Sequence, residues 1–158
     1  MNFPHYKQKH GMSCGLASLC MVAHWITGRR QREAVWETKT NWNEERGLLP
    51  AGMHRALQML SREESVKIAR VLPNRIDPYL TTSGHTVYVL LIDWYVQGTG
   101  PRIKNPRHWI VVHGVHTPRR NKPVVVFEDS LQSSGPDLWI WSSLEPIVVA
   151  AFAITSLA

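Results

Sequence analysis

An α+β fold, with a central N-terminal helix packed on a mainly antiparallel sheet, is what the sequence predicts. In the first half of the chain apolar residues recur at helical spacing. In the second half they gather into short runs rich in Val, Ile and aromatics, separated by Pro, Gly, Asn and Ser. Helices first and strands after them indicate an α+β domain. The 158 residues, 44% apolar and 19% charged, predict one globular domain, residues 1–158, with a core large enough to need no staples.

The elements follow in order. Ser13 stands where it can cap a helix in which Leu16, Leu19, Cys20, Ala23 and Ile26 recur at helical spacing. Ala17, Met21 and Val22 widen that apolar surface to most sides, which makes the helix a central one, and Gly28 offers its stop. Residues 31–40 form a weaker helical stretch and 41–49 a loop. Pro50 then opens a firmer helix bearing Ala51, Met53, Ala56, Leu57 and Leu60. Strands are expected at 66–72, 86–96, 109–115, 124–128 and 147–154.

Charge and composition exclude several classes of function. The net charge is +6, but Arg29-Arg30, Arg102-Lys104-Arg107 and Arg119-Arg120-Lys122 lie in separate loops, so they read as solvated charges and not as a nucleic-acid stripe. Residues 1–13 are polar and give no leader. The apolar run 147–154 is too short to span a bilayer, so a soluble protein is expected. Cys14 and Cys20 on one helix would be separated by a rise of about 9 Å, beyond disulfide reach, which predicts two thiols and a reducing cytosol.

Histidine is plentiful, yet no zinc set emerges. On one regular strand His108 and His113 face opposite sides, as do His113 and His116, while His108 and His116 lie about 26 Å apart. His5, His10, His24, His54 and His85 form no recognised ligand spacing, so neither a metal nor an organic cofactor is expected.

Cysteine chemistry is the stronger signal. A thiol attacks as thiolate, and a helix N-terminus or a neighbouring imidazole lowers its pKa. Cys14 has the first of these, and Gly15 beside it would allow a substrate backbone to come close. His108 opens an apolar strand and could project from the sheet end. The following strand, VVVFED, ends in Asp129, which could hold the imidazole in one tautomer. Asp93, in LLIDWY, is the rival carboxylate for that task. Trp109 could shield the pair from water, and the other tryptophans, Trp25, Trp36, Trp42, Trp94, Trp139 and Trp141, read as core. Cys20, inside the apolar helix, reads as inert packing.

Gln8, Cys14-Gly15, the run HWIVV from His108, and VFED ending at Asp129 together resemble the C39-type, bacteriocin-processing branch of the papain-like cysteine peptidases. The resemblance spans nearly the whole chain and implies a papain-like fold without cofactors. It makes Cys14 the nucleophile, His108 the base and Asp129 its orienter, with the Gln8 amide and the Cys14 N–H forming the oxyanion hole. The family's better-known members cleave a leader peptide after a double glycine. This implies a protein substrate with a Gly-Gly site and a narrow channel with Trp109 and Gly15 beside it.

That branch often carries Asp before the nucleophile, where this chain has Ser13, which preserves a helix cap. Its processing members are commonly fused to a membrane exporter. A basic peptidase domain without one looks more like a regulatory protease or a toxin that bacteria use on competitors, acting in the cytoplasm of a recipient cell and restrained by an acidic immunity or inhibitor protein. The same residues could serve a thiol acyltransferase or amidohydrolase, such as a deamidase or cell-wall amidase, or a leader-processing peptidase. A non-catalytic binding module is disfavoured because every expected chemical role is filled.

Overall fold

The computed structural model describes residues 2–93, 107–117 and 122–157. Three helices come first: α1 (Cys14–Thr27), α2 (Glu33–Lys39) and α3 (Pro50–Glu63). The strands β1 (Val66–Val71), β2 (Thr86–Asp93), β3 (Arg107–His116), β4 (Val124–Glu128), β5 (Asp137–Ile140) and β6 (Val148–Ser156) follow, with a one-turn helix α4 (Trp141–Leu144) ahead of β6. They form a six-stranded sheet in the order β1-β6-β2-β3-β4-β5, antiparallel at every pairing. The expected α+β class and helix-on-sheet architecture are present.

The sheet is covered on both faces, which explains why its central strand shows no polar alternation. Val87, Val89 and Leu91 of β2 join Trp109 and Val111 of β3 in a core with α1 and α3. Their neighbours Tyr88, Leu90 and Ile92, with Ile110 and Val112, join a second core closed by Trp141, Leu144 and Ile147. Helix α1 is buried from Gly15 to Ala23, as its all-round apolar surface requires. Gly28 ends it at φ +71°, donating its N–H to His24 O at 2.8 Å, and α3 starts at Pro50.

Some expectations change. Ser13 occupies the N-cap position of α1 but does not cap it: its Oγ accepts from His10 N–H at 2.9 Å and donates to His10 O at 3.1 Å. The hydroxyl closes the preceding turn and leaves the helix N–H groups uncapped. Strand β3 starts at Arg107, so His108 lies within it, and a register shift between Val112 and Gly114 makes a bulge at His113. The short edge strand β5 was not expected: its apolar run is only Leu138 to Ile140 before α4 begins, and Leu138 and Ile140 are exposed. The last part of the expected strand 86–96, with Trp94, lies outside the described residues, as do Arg102, Lys104, Arg119 and Arg120. Among the described residues no helix is long and apolar enough to cross a membrane.

Candidate active site

Helix α1 begins at Cys14, which puts a half-buried free thiol at the end where backbone N–H groups lack intrahelical acceptors. The first intrahelical bond seen there is donated by Ala17 N–H to Ser13 O at 2.9 Å. Because Ser13 does not cap the helix, the partial positive charge of this end is directed at the thiol region. Cys20, six residues on, is fully buried, and burial first and the Glu33 charge second push its thiol up to about 12. It cannot be the nucleophile at ordinary pH.

His108, only 4% exposed, donates from Nε2 to Asp129 Oδ1 at 2.7 Å. The Cys14 thiol lines the same cleft, close enough for its interaction with the imidazole to favour the protonated ring. With Nε2 engaged by the carboxylate, Nδ1 is the ring nitrogen left for the thiol. Asp129 Oδ1 also accepts from Leu131 N–H at 2.9 Å, so the carboxylate is held from two directions. Burial by itself would depress the imidazole, but the bond to Asp129 and then the interaction with Cys14, with their charges, outweigh it and raise His108 from 6.5 to about 9. Burial likewise works against the Asp129 charge, but the bond and charge of His108 reverse that and hold the carboxyl below its ordinary 3.8.

Asp93, the rival orienter, ends β2 opposite Arg107 in the β2–β3 register, and the carboxylate on His108 Nε2 is that of Asp129. A cleft of about 300 Å³ opens over Cys14 and His108. Met12, Leu48, Leu49, Leu91, Trp109 and Leu131 give it an apolar lining, with Arg46 and Arg107 also lining it.

Trp109 lines the cleft and is anchored: its Nε1–H donates to Leu48 O at 2.7 Å. The loop carrying Leu48 is pinned at a second point, where Trp42 Nε1–H donates to Met12 O at 2.9 Å. Gly47 turns there at φ +68°, against that carbonyl. The sequence places a loop at 41–49 but carries no sign that it lines the cleft.

Gly15 differs from its expected role. A Cβ there would come within 2.6 Å of Leu48 Cβ and 3.0 Å of Trp109 Cδ1, so the missing side chain makes room for the cleft wall and not for a substrate. Gly15→Ala must displace the wall or the helix and is expected to cost about 1–3 kcal/mol, the usual scale of overpacking. Chemical denaturation measures it, and an unchanged midpoint would show that Leu48 yields freely.

Gln8 lies beside the site in a network that includes Ser130. Its Nε2 donates to His10 O at 2.8 Å and Gly11 O at 3.1 Å, its Oε1 accepts from the Ser130 hydroxyl at 2.7 Å, and its backbone N–H bonds Ser130 O at 2.9 Å. Ser130, fully buried next to Asp129, thereby ties the acid's turn to the turn before Cys14. It went unnoticed in the sequence because one serine after an acidic residue has no distinctive pattern.

No protein-family profile matches the chain, and no curated protein does. Solved structures do. The peptidase domain of Streptococcus ComA, a bi-functional ABC transporter involved in a quorum-sensing pathway, superposes with TM-score 0.66 at 18% identity, covering 98% of this chain and 99% of that one. A double-glycine motif protease from an AMS/PCAT transporter, in complex with the leader peptide, gives TM-score 0.61 at 13% identity, covering 98% of this chain and 92% of that one. The fold is that of C39-type, papain-like peptidase domains.

Proposed function

We propose that the protein is a cysteine endopeptidase that cleaves protein or peptide substrates after Gly-Gly. The observation that supports this reading is the buried His108, hydrogen-bonded to the Asp129 carboxylate and sharing a cleft with the Cys14 thiol at a helix N-terminus. The raised pKa of His108 favours a Cys14 thiolate paired with imidazolium.

The thiolate attacks the scissile carbonyl carbon, forming a C–S bond and an oxyanion. The Cys14 backbone N–H stabilises that oxyanion, joined by Gln8 when one amide N–H exchanges from the His10 or Gly11 carbonyl. His108 donates its proton to the leaving amine as the C–N bond breaks. Water, deprotonated by the now neutral imidazole, then attacks the thioester and releases the acid, regenerating the pair. Asp129 holds the ring throughout and carries no proton. No cofactor takes part in this scheme. The further role in antagonism between bacteria rests on the family resemblance and the same nucleophile.

Preference for Gly-Gly follows from the apolar walls set by Leu48 and Trp109. A side chain on either residue before the cut would meet a wall and displace the carbonyl, and a 1 Å displacement costs about 10²-fold in rate. Peptides identical except for Gly-Gly, Gly-Ala and Ala-Gly before the cut should differ mainly in turnover. Equal turnover of all three would remove the double-glycine preference and leave the thiol peptidase standing.

A further inference from the structure

One residue before Asp129, Glu128 is 2% exposed, and its carboxylate is gripped by two histidines. Oε1 meets His5 Nδ1 at 2.9 Å and Oε2 meets His113 Nε2 at 2.5 Å. The other nitrogen of His5, Nε2, faces the carbonyl oxygen of Gln132 at 2.8 Å. Phe3 stacks on His113 with centroids 4.5 Å apart and planes 9° from parallel. A Cβ at Gly135 would overlap the Glu128 carboxylate and lie 3.0 Å from His5 Nδ1, so the turn after Asp129 is closed tightly over the cluster. The cluster joins the N-terminal segment that leads to Gln8 and Cys14, the bulge of β3, and the turn that carries Asp129 and Ser130.

Its hydrogen bonds fix a proton count. Ionised carboxylate and carbonyl oxygens only accept, so the contacts of Glu128 and Gln132 require an N–H from each His5 nitrogen and one from His113 Nε2. Neutral His5 supplies only one. The additional proton sits on His5 as imidazolium, or on Glu128 as a carboxylic acid donating to His5 Nδ1. In both cases the cluster holds one proton more than a carboxylate beside two neutral imidazoles and is electrically neutral, as burial favours.

We propose that Glu128, His5 and His113 form a positioning clasp that sets the Asp129 carboxylate against His108 and holds the Gln8–Cys14 segment in register, and that the clasp is complete only with its additional proton bound. The proposal rests on the thiol-peptidase reading of the site. The charge of His5 also reaches Asp129, where it favours the ionised carboxyl. The titratable groups around Glu128 are His5 from the N-terminal segment, His113 from β3, Asp129 next in the chain, and Asp137 of β5, which lies opposite Phe127.

The test compares Glu128→Ala with Glu128→Gln, following both peptide turnover and Cys14 alkylation by iodoacetamide across pH. Loss of the clasp loosens the Asp129–His108 bond. Glu128→Ala should therefore lose about 10²-fold in kcat, the cost of a misplacement near 1 Å, with KM little changed. The alkylation step that marks loss of the His108 proton should move down from about 9 towards 6.5. Glu128→Gln, which accepts from one histidine and donates to the other in its opposite tautomer, should keep that step near its native position. A folded Glu128→Ala with native kcat and a native alkylation step would overturn the proposal. If that variant does not fold, His5→Ala and His113→Ala, each removing the ring nitrogen that meets Glu128, take its place; a lowered step in either supports the clasp and a native step in both overturns it. Alkylation needs no substrate, so absent peptide cleavage with a shifted step sinks the peptidase reading and not the clasp.

Discussion

Cys14→Ala should abolish turnover and leave the protein folded, while Cys20→Ala stays active. Cys14 is half-buried and shares the cleft with His108, so in the proposed mechanism its loss removes the nucleophile but little packing. Cys20 is buried in the core with its thiol pushed up to about 12, and truncating it leaves a small cavity far from any acyl transfer. A thiol-reactive probe at neutral pH should label Cys14 alone, because Cys14 is accessible at the cleft while Cys20 is buried with its thiol pushed up to about 12. Equal loss of turnover in both variants, each folded by circular dichroism, would overturn the nucleophile assignment. In the antagonism role, expression in a bacterial cytosol arrests growth with native Cys14 and not with Cys14→Ala. Equal growth at equal protein level removes that role.

His108→Ala should be nearly as damaging, on the order of 10⁴-fold in kcat, because the thiolate loses its counter-ion and the leaving amine its acid. Asp129→Ala should fall between this and no effect, and Asp93→Ala should be close to native. A crippled Asp93→Ala beside a silent Asp129→Ala would reassign the orienter. The pH dependence carries a definite sign. His108 is raised from 6.5 to about 9, so the stability it contributes is fully present below 6.5 and is lost as pH rises through about 9. Asp129 is lowered from 3.8, so its contribution is present above that value and is lost as pH falls through the lowered one. Activity, which needs the imidazolium, should therefore decline above about 9, and Asp129→Ala should bring that limb down. A limb that stays in place would mean that the carboxylate does not set the imidazole.

Much of this was determined by the sequence alone, where the determining physics is local. The all-round apolar spacing from Leu16 to Ile26 makes a buried helix whatever surrounds it, and Gly28 stops that helix because a left-handed residue costs glycine little. The runs at 124–128 and 66–72 had the right composition and flanks for strands, and strands formed there. Cys14 and Asp129 were legible because each stands at the end of an element, where a side chain can leave the core.

What only the tertiary structure decided involves partners distant in sequence. Asp93 and Asp129 were both open as orienters until the β2–β3 and β3–β4 registers put one opposite Arg107 and the other on His108. Gly15 looked like room for a substrate, yet Leu48 and Trp109 fill the space beside it. Ser13 had the chemistry of a cap, yet its hydroxyl serves the turn before the helix, where His10 offers both a donor and an acceptor. Gln8 meets Ser130 across 122 residues and His5 meets Glu128 across 123. Periodicity reports which face of an element is buried, but a hydrogen bond between distant segments depends on a register that the whole sheet sets at once.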